Sequence, residues 1–168
     1  MGHIADKEFV RGEVPMTKQE VRAVSVAKLK LSENSILIDV GAGTGSVGIE
    51  AATYIPCGKV YAVEKKSEGI KLIEENLKKF GIKNLEVIQG TAPDDLCIKN
   101  FDRMFVGGSG GKLEEIIKYF VNYSAKKSIV VINAITLETL SEVKNIFEKY
   151  KIKNIEIIYM GFSPNIIV

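Results

Sequence analysis

Ser35-Ile36-Leu37-Ile38-Asp39-Val40-Gly41-Ala42-Gly43-Thr44-Gly45-Ser46 is the stretch on which the fold turns. A short apolar run reaches an acid, glycines follow at alternate positions, and a helical pattern begins directly behind them. An apolar run bounded in this way reads as a buried strand. Glycines let the backbone reverse sharply and approach a ligand with no Cβ in between. The helix start behind them offers free N–H groups that favour an anionic group. Strand, glycine turn and helix open a wound α/β unit, whose ligands bind outside the carboxyl ends of the strands.

Working downstream, Lys59–Glu64, Leu85–Gln89, Asp102–Val106 and Ser128–Asn133 read as further buried strands after Ser35–Val40. Helical patterns at 45–55, 67–80, 111–123 and 136–150 separate them. In the clearest, Ile70, Ile73, Leu77 and Phe80 share a face and Gly81 supplies the stop. Ile155–Met160 and Pro164–Val168 read as two closing strands, the last expected to be antiparallel. Upstream, residues 1–16 show no periodicity and read as a leader. Thr17-Lys18-Gln19-Glu20 then has capping-box spacing and opens a helix to about Leu31. The alternation predicts an α/β fold with a doubly wound, mostly parallel sheet and helices on both faces. The whole chain, 1–168, is expected to form one domain with its leader.

Composition narrows the chemistry. Of 168 residues, 46% are apolar and 26% charged, an ordinary globular balance. No apolar run approaches the roughly 18 residues that suggest a membrane span. The start leads from Met1-Gly2-His3 into Asp6-Lys7-Glu8 and does not read as a secretory signal, so the cytoplasm is the expected setting. Cys57 and Cys97 do not amount to a disulfide framework. The net charge of +2 is small and the lysines are dispersed, which argues against a nucleic-acid footprint. His3 is the only histidine, so a Ser-His-Asp or Cys-His site is not expected, nor a metal site built on imidazole. The phosphate-loop signature Gly-x-x-x-x-Gly-Lys-Ser/Thr is missing.

Glu64 ends the second strand, 19 residues after Gly45. A carboxylate there can accept from both hydroxyls of a ribose. Two cofactor classes use such an arrangement. Dinucleotide sites want Gly-x-Gly-x-x-Gly directly after the strand, and from Gly41 that pattern meets Ser46 where glycine is needed. The shifted match at Gly43, Gly45 and Gly48 starts two residues late. Asp-x-Gly-x-Gly-x-Gly with an acid on the next strand instead resembles the first two motifs of class I S-adenosylmethionine-dependent methyltransferases, Rossmann-like proteins. Gly90-Thr91-Ala92 follows the third strand, where that family contacts the adenine. The resemblance implies a cofactor set of Asp39, Gly41, Ala42, Gly43, Thr44, Gly45, Glu64, Thr91 and Ala92, with no metal. The bland alternative, a glycine turn that only packs helix on strand, leaves Asp39 and Glu64 in register unexplained.

Three further segments are more specific. Val14-Pro15-Met16-Thr17-Lys18-Gln19-Glu20-Val21-Arg22 precedes the sheet, Val106-Gly107-Gly108-Ser109-Gly110-Gly111 follows the fourth strand, and Asn133-Ala134-Ile135-Thr136-Leu137-Glu138-Thr139 follows the fifth. With the glycine turn, they resemble the decarboxylating precorrin methyltransferases of corrin-ring synthesis, from about Asp6 to at least Thr139. The resemblance implies methyl transfer to carbon-15 of precorrin-6B or its cobalt form, loss of carbon dioxide from the carbon-12 acetate, and a homotetramer. It also places Thr17 near the cofactor, beside its reading as a helix cap alone. Substrate-side candidates are Gly107, Gly108, Ser109, Gly110 and Asn133; no catalytic residue is singled out. Glycines there admit a flat ring, and their N–H groups suit carboxylates. Arg22, Arg103, Lys18 and Lys112 are candidate partners for the carboxylates of a tetrapyrrole, each also readable as a plain surface charge. In that family a longer excursion separates the last two strands; here Gly161-Phe162-Ser163 passes straight into Pro164-Asn165-Ile166. The alternatives are a nucleic-acid methyltransferase, against which the fourth-strand loop lacks an aromatic residue for a flipped base, and a non-catalytic module that only binds the cofactor.

Overall fold

The structure is a computed structural model that describes residues 3–161. After a 3-10 turn at Asp6–Glu8 come α1 (Gln19–Leu29), β1 (Ile36–Val40), α2 (Ser46–Tyr54), β2 (Lys59–Glu64) and α3 (Ser67–Phe80). Then follow β3 (Leu85–Gln89), β4 (Phe101–Val106), α4 (Leu113–Tyr123), β5 (Ser124–Ile132) and α5 (Leu137–Lys149). The strands form one sheet in the order β3-β2-β1-β4-β5, and every neighbouring pair is parallel. The chain winds outward from β1 through β2 to β3, then returns to the other side of β1 with β4. The direction of winding therefore switches between β1 and β4, where a crevice opens at the carboxyl ends.

Strand alternation divides the core in two. Leu37, Val60, Ala62, Leu85 and Phe105 face α1, α2 and α3, represented by Val26, Leu29, Val47, Ile49, Ala51 and Ile73. Ile38, Val40, Val63, Met104 and Val106 face α4 and α5, through Leu113, Ile116, Ile117, Phe120 and Ile146. A strand covered on both faces has no polar side, which is why β1 reads as a continuous apolar run.

Several expectations need correction. The last described strand, β5, is parallel. Ile155–Met160 form no strand, and the expected antiparallel strand at 164–168 lies outside the described residues. β5 begins at Ser124, four residues before the expected Ser128, because it absorbs an irregularity: Phe101 pairs with Ser124 but Arg103 with Ile129, and Lys127 takes a φ of 63°. The capping box does not form. Lys18 is the N-cap of α1, no side chain caps it, and the Thr17 carbonyl accepts instead from Arg22 Nη1 at 2.7 Å. In α3 the buried stripe is Gly69, Leu72, Ile73 and Asn76, one step round from the expected face, with Leu77 and Phe80 at its margin.

The leader is built into the fold. Phe9 and Val14 are buried. Phe9 packs on Phe80 and under the Arg22 guanidinium. Arg22 is completely buried; its Nε donates to Glu50 Oε2 at 2.8 Å, and its other nitrogens donate to Asp6 Oδ1 and the Ile4 carbonyl. Glu13 N donates to Glu68 Oε1 at 2.9 Å.

Candidate functional site

Asp39, one residue before the end of β1, faces α2 and is fully buried. Its Oδ2 accepts from Gly48 N at 2.9 Å, while Oδ1 has no partner among the described residues. Burial pushes its pKa up to about 7; the Gly48 bond opposes this and the Glu64 charge adds to it. A Cβ on Gly48 would stand 2.9 Å from Asp39 Oδ2, so this helix position must stay bare for the acid to reach the backbone.

The turn beyond Asp39 is tied to β2. Gly41 N and Ala42 N both donate to the Val63 carbonyl at 3.0 Å, and Gly45 N donates to the Ala42 carbonyl at 2.8 Å. Gly41, Gly43 and Gly45 have φ of 69°, 58° and 76°, the left-handed region that disfavours any Cβ. Their surroundings forbid one as well. A Cβ on Gly41 would stand 2.6 Å from the Gly108 carbonyl oxygen, and one on Gly43 2.6 Å from the Pro15 carbonyl oxygen. Among the described residues no side chain caps the N-terminus of α2 behind this turn. Thr44 is buried, and its Oγ1 has no partner among the described residues.

Glu64 lies at the end of β2 and is 7% exposed. Its Oε2 accepts from Gly43 N and its Oε1 from Lys66 N, each at 2.9 Å. Each oxygen keeps acceptor capacity after one such bond. Gly69 makes room for the side chain, since a Cβ there would stand 2.7 Å from Glu64 Cγ. Gly90 N donates to the Glu64 carbonyl, which brings Thr91 and Ala92 to the same end of the sheet. Thr91 N donates to Asp95 Oδ2 at 2.7 Å, and Ala92 is buried.

On the other side of β1, Gly107 N and Gly108 N donate to the Val40 carbonyl, and Asn133 N donates to the Val106 carbonyl. A cleft of about 150 Å³ opens here, lined by Gly107, Gly108, Ser109, Asn133, Ile135 and Thr139 among others. Gly110, with a φ of 59°, is not among its lining residues. Asn133 does not cap α5, a role held by Thr136, whose side chain accepts from Thr139 N. Its Oδ1 accepts from Ser25 Oγ of α1 at 3.3 Å.

The structure thus brings the glycine turn, Asp39, Glu64, Thr91 and Ala92 to one end of the sheet, with the substrate-side candidates across β1. Thr17 follows two residues after the Pro15 carbonyl that covers Gly43. The basic candidates fare differently. Arg22 is sealed in its ion pair with Glu50 and cannot meet a substrate. Arg103 is spent on Asp102 and the Lys30 carbonyl, low on β4. Lys112 pairs with Asp94, and Lys18 stands exposed. Sequence reasoning missed Lys65. Its ammonium comes within 3.8 Å of where a Cβ on Gly110 would stand, reaching from the end of β2 to the loop after β4. No carboxylate pairs with it among the described residues. The available signal was its place directly after Glu64 at a strand's carboxyl end.

Strand order 3-2-1-4-5, a glycine turn after β1 and an acid at the end of β2 define a class I methyltransferase fold. Within that class the chain belongs to the precorrin methyltransferase domain family, whose pattern matches residues 8–158. It is 39% identical over 159 residues to the probable cobalt-precorrin-6B C(15)-methyltransferase (decarboxylating) of Saccharolobus solfataricus, covering 92% of this chain and 80% of that one. It is 43% identical over 136 residues to the cobalt-precorrin-6B C(15)-methyltransferase (decarboxylating) of Salmonella typhimurium, covering 80% and 70%. The crystal structure of precorrin-6y C5,15-methyltransferase from Geobacter metallireducens superposes with a TM-score of 0.85 at 39% identity, covering 89% of this chain and 80% of that one.

Proposed function

We propose that this chain transfers a methyl group from S-adenosylmethionine to carbon-15 of cobalt-precorrin-6B, or its metal-free form, and releases carbon dioxide from the carbon-12 acetate. Relatives of that description at 38–45% identity over most of the chain support the reading. The observation that carries it on this molecule is the placement of Glu64 against a glycine turn whose Gly41 and Gly43 leave no room for a Cβ.

The residues present suit the cofactor. Glu64 keeps acceptor capacity for a ribose diol, the glycines at 41, 43 and 45 keep side chains off the turn, and Thr44 Oγ1 is a buried group without a partner among the described residues. Thr17, Asp39, Ala42, Thr91 and Ala92 complete the proposed cofactor set. Bound there, S-adenosylmethionine supplies an already activated methyl, so the protein chiefly has to hold donor and acceptor in line. Gly107, Gly108, Ser109 and Asn133 line the cleft that takes the edge of the ring. Lys65, whose ammonium reaches the loop after β4 beside Gly110, binds a substrate carboxylate as a point charge. No strong base is required, because the conjugated ring itself takes up the electrons released with carbon dioxide; low-dielectric walls such as Val106, Leu113 and Ile132 exclude water from it.

The reading extends to a single domain with its leader, a cytoplasmic setting, a homotetrameric assembly, and a small-molecule partner with neither nucleic acid nor membrane. No described helix is long and apolar enough to cross a membrane. The deciding experiment incubates the protein with cobalt-precorrin-6B and S-adenosylmethionine and weighs the product. Gain of one methyl with loss of carbon dioxide is the expected result; an unchanged tetrapyrrole overturns the reading.

A further inference from the structure

We infer that Asn76, seconded by Arg22, positions the leader as a wall of the cofactor site, so that residues 3–17 belong to the binding machinery; this rests on the glycine turn being the cofactor seat. Asn76 occupies a place on the α3 stripe where its neighbours are Leu72 and Ile73, and it is completely buried. A buried amide is costly unless its hydrogen bonds are made. Here they are made by two segments remote from each other in sequence. Asn76 Oδ1 accepts from Val10 N at 2.7 Å, and Nδ2 donates to the Val10 carbonyl at 3.1 Å and to the Thr44 carbonyl at 3.2 Å. One side chain thus pairs both polar groups of a leader residue and a carbonyl of the glycine turn. Asn76 is satisfied only while leader and turn are both in place, which couples one to the other.

The Thr44–Gly45 peptide is held at both ends, its carbonyl by Asn76 and its N–H by the Ala42 carbonyl. Asn76 therefore fixes the tilt of the peptide in the middle of the turn. Further along the leader, the Pro15 carbonyl rests on Gly43 and Val14 Cγ1 lies 3.5 Å from the same point. Arg22 fastens the two ends of this strap. It donates to the Ile4 carbonyl and Asp6 on one side and to the Thr17 carbonyl on the other, while Glu50 holds the guanidinium from below. A segment that only tied the chain end to the body would not need a partner in common with the glycine turn.

The test compares the full chain with Asn76→Ala and with Asp6→Ala, which loosens one Arg22 contact at a partly exposed carboxylate and leaves the core untouched. Three readouts are taken: amide exchange without ligand, trypsin cleavage after the exposed Arg11, and titration with S-adenosylhomocysteine. In Asn76→Ala, exchange at Val10 and at residues 41–45 should accelerate, and cleavage after Arg11 should quicken. Affinity should fall about tenfold or more, the equivalent of one lost hydrogen bond, while exchange in β5 and α5 stays as in the parent. Asp6→Ala should move the same readouts less. A folded Asn76→Ala protein with unchanged affinity, or with a freed leader over a normally protected turn, overturns the inference. Should Asn76→Ala not fold, Asp6→Ala decides, and quicker cleavage with parental affinity is then the contrary result. A parent that binds no S-adenosylhomocysteine rejects the cofactor reading instead, while the exchange experiment still judges the coupling of leader to turn.

Discussion

Glu64 is pulled in two directions. Its oxygens hold Gly43 N and Lys66 N, so the carboxylate organises the turn that it is also proposed to serve as a ribose acceptor. Glu64→Ala should therefore cost about 1–3 kcal/mol of stability through two N–H groups left unpaired, in addition to lost cofactor affinity. Glu64→Gln, which keeps one acceptor, should recover most of the stability and little of the affinity; denaturant titration and calorimetry with S-adenosylhomocysteine separate the two. Asp39 makes stability depend on pH. Its folded pKa of about 7 lies above the ordinary 3.8, so between those values the native state holds a proton that the unfolded chain releases. Stability should fall as pH rises through that window, and Asp39→Asn should flatten the slope measured by denaturant midpoints from pH 4 to 8. Lys65 offers a cleaner functional probe because no carboxylate among the described residues pairs with it. Lys65→Met should raise the tetrapyrrole KM several-fold with kcat and melting temperature nearly unchanged, as expected for loss of a single exposed charge contact. An unaltered KM would remove it from the substrate site.

At the scale of elements, helix α1 shows what a sequence conceals. Thr17-Lys18-Gln19-Glu20 has the spacing of a capping box, yet the Thr17 carbonyl is held by Arg22 and the helix starts uncapped at Gln19. Thr17→Ala should then shift stability by less than about 0.5 kcal/mol, where loss of a working cap would cost about 1 kcal/mol. A larger loss on thermal unfolding would restore the cap. The strands were legible because burial on both faces leaves short apolar runs, and β2 and β3 match the expected bounds. The glycine turn and Glu64 were legible because backbone chemistry demands those residue types at those places. The leader was not, since nothing periodic marks it: its order comes from Arg22, Asn76 and Glu68, which lie on other elements. Asn76 itself hid inside a stripe that is otherwise apolar. Arg22 and Arg103 read as surface charges for the same reason, because their partners are distant carboxylates or backbone carbonyls.

Across the molecule, among the described residues, one side of the sheet is left less covered than the other. β5 is half-buried along most of its length, and near it Ile135 is 94% and Leu137 80% exposed. Ile157 and Tyr159, after α5, are 71% and 92% exposed. Exposed apolar surface of this extent commonly marks an interaction face. In line with the proposed assembly, light scattering after size exclusion should give a mass well above the 18.5 kDa of one chain. A strictly monomeric elution at micromolar concentration would count against it.

The close approach of Gly41 to Gly108 sets a rule for the two halves of the crevice. One glycine belongs to the turn proposed to face the methyl donor, the other to the loop proposed to face the acceptor, and they meet backbone against backbone. Nothing with a rotamer stands between them at this point. At this contact the spacing of the two proposed faces is set by peptide geometry, and repacking of neighbouring side chains has little leverage on it. The constraint runs one way through mutation: a methyl group gained on Gly41 collides with the Gly108 backbone, whereas one gained on Gly108 meets nothing within 4 Å, so the loop after β4 is free to change where the turn after β1 is not.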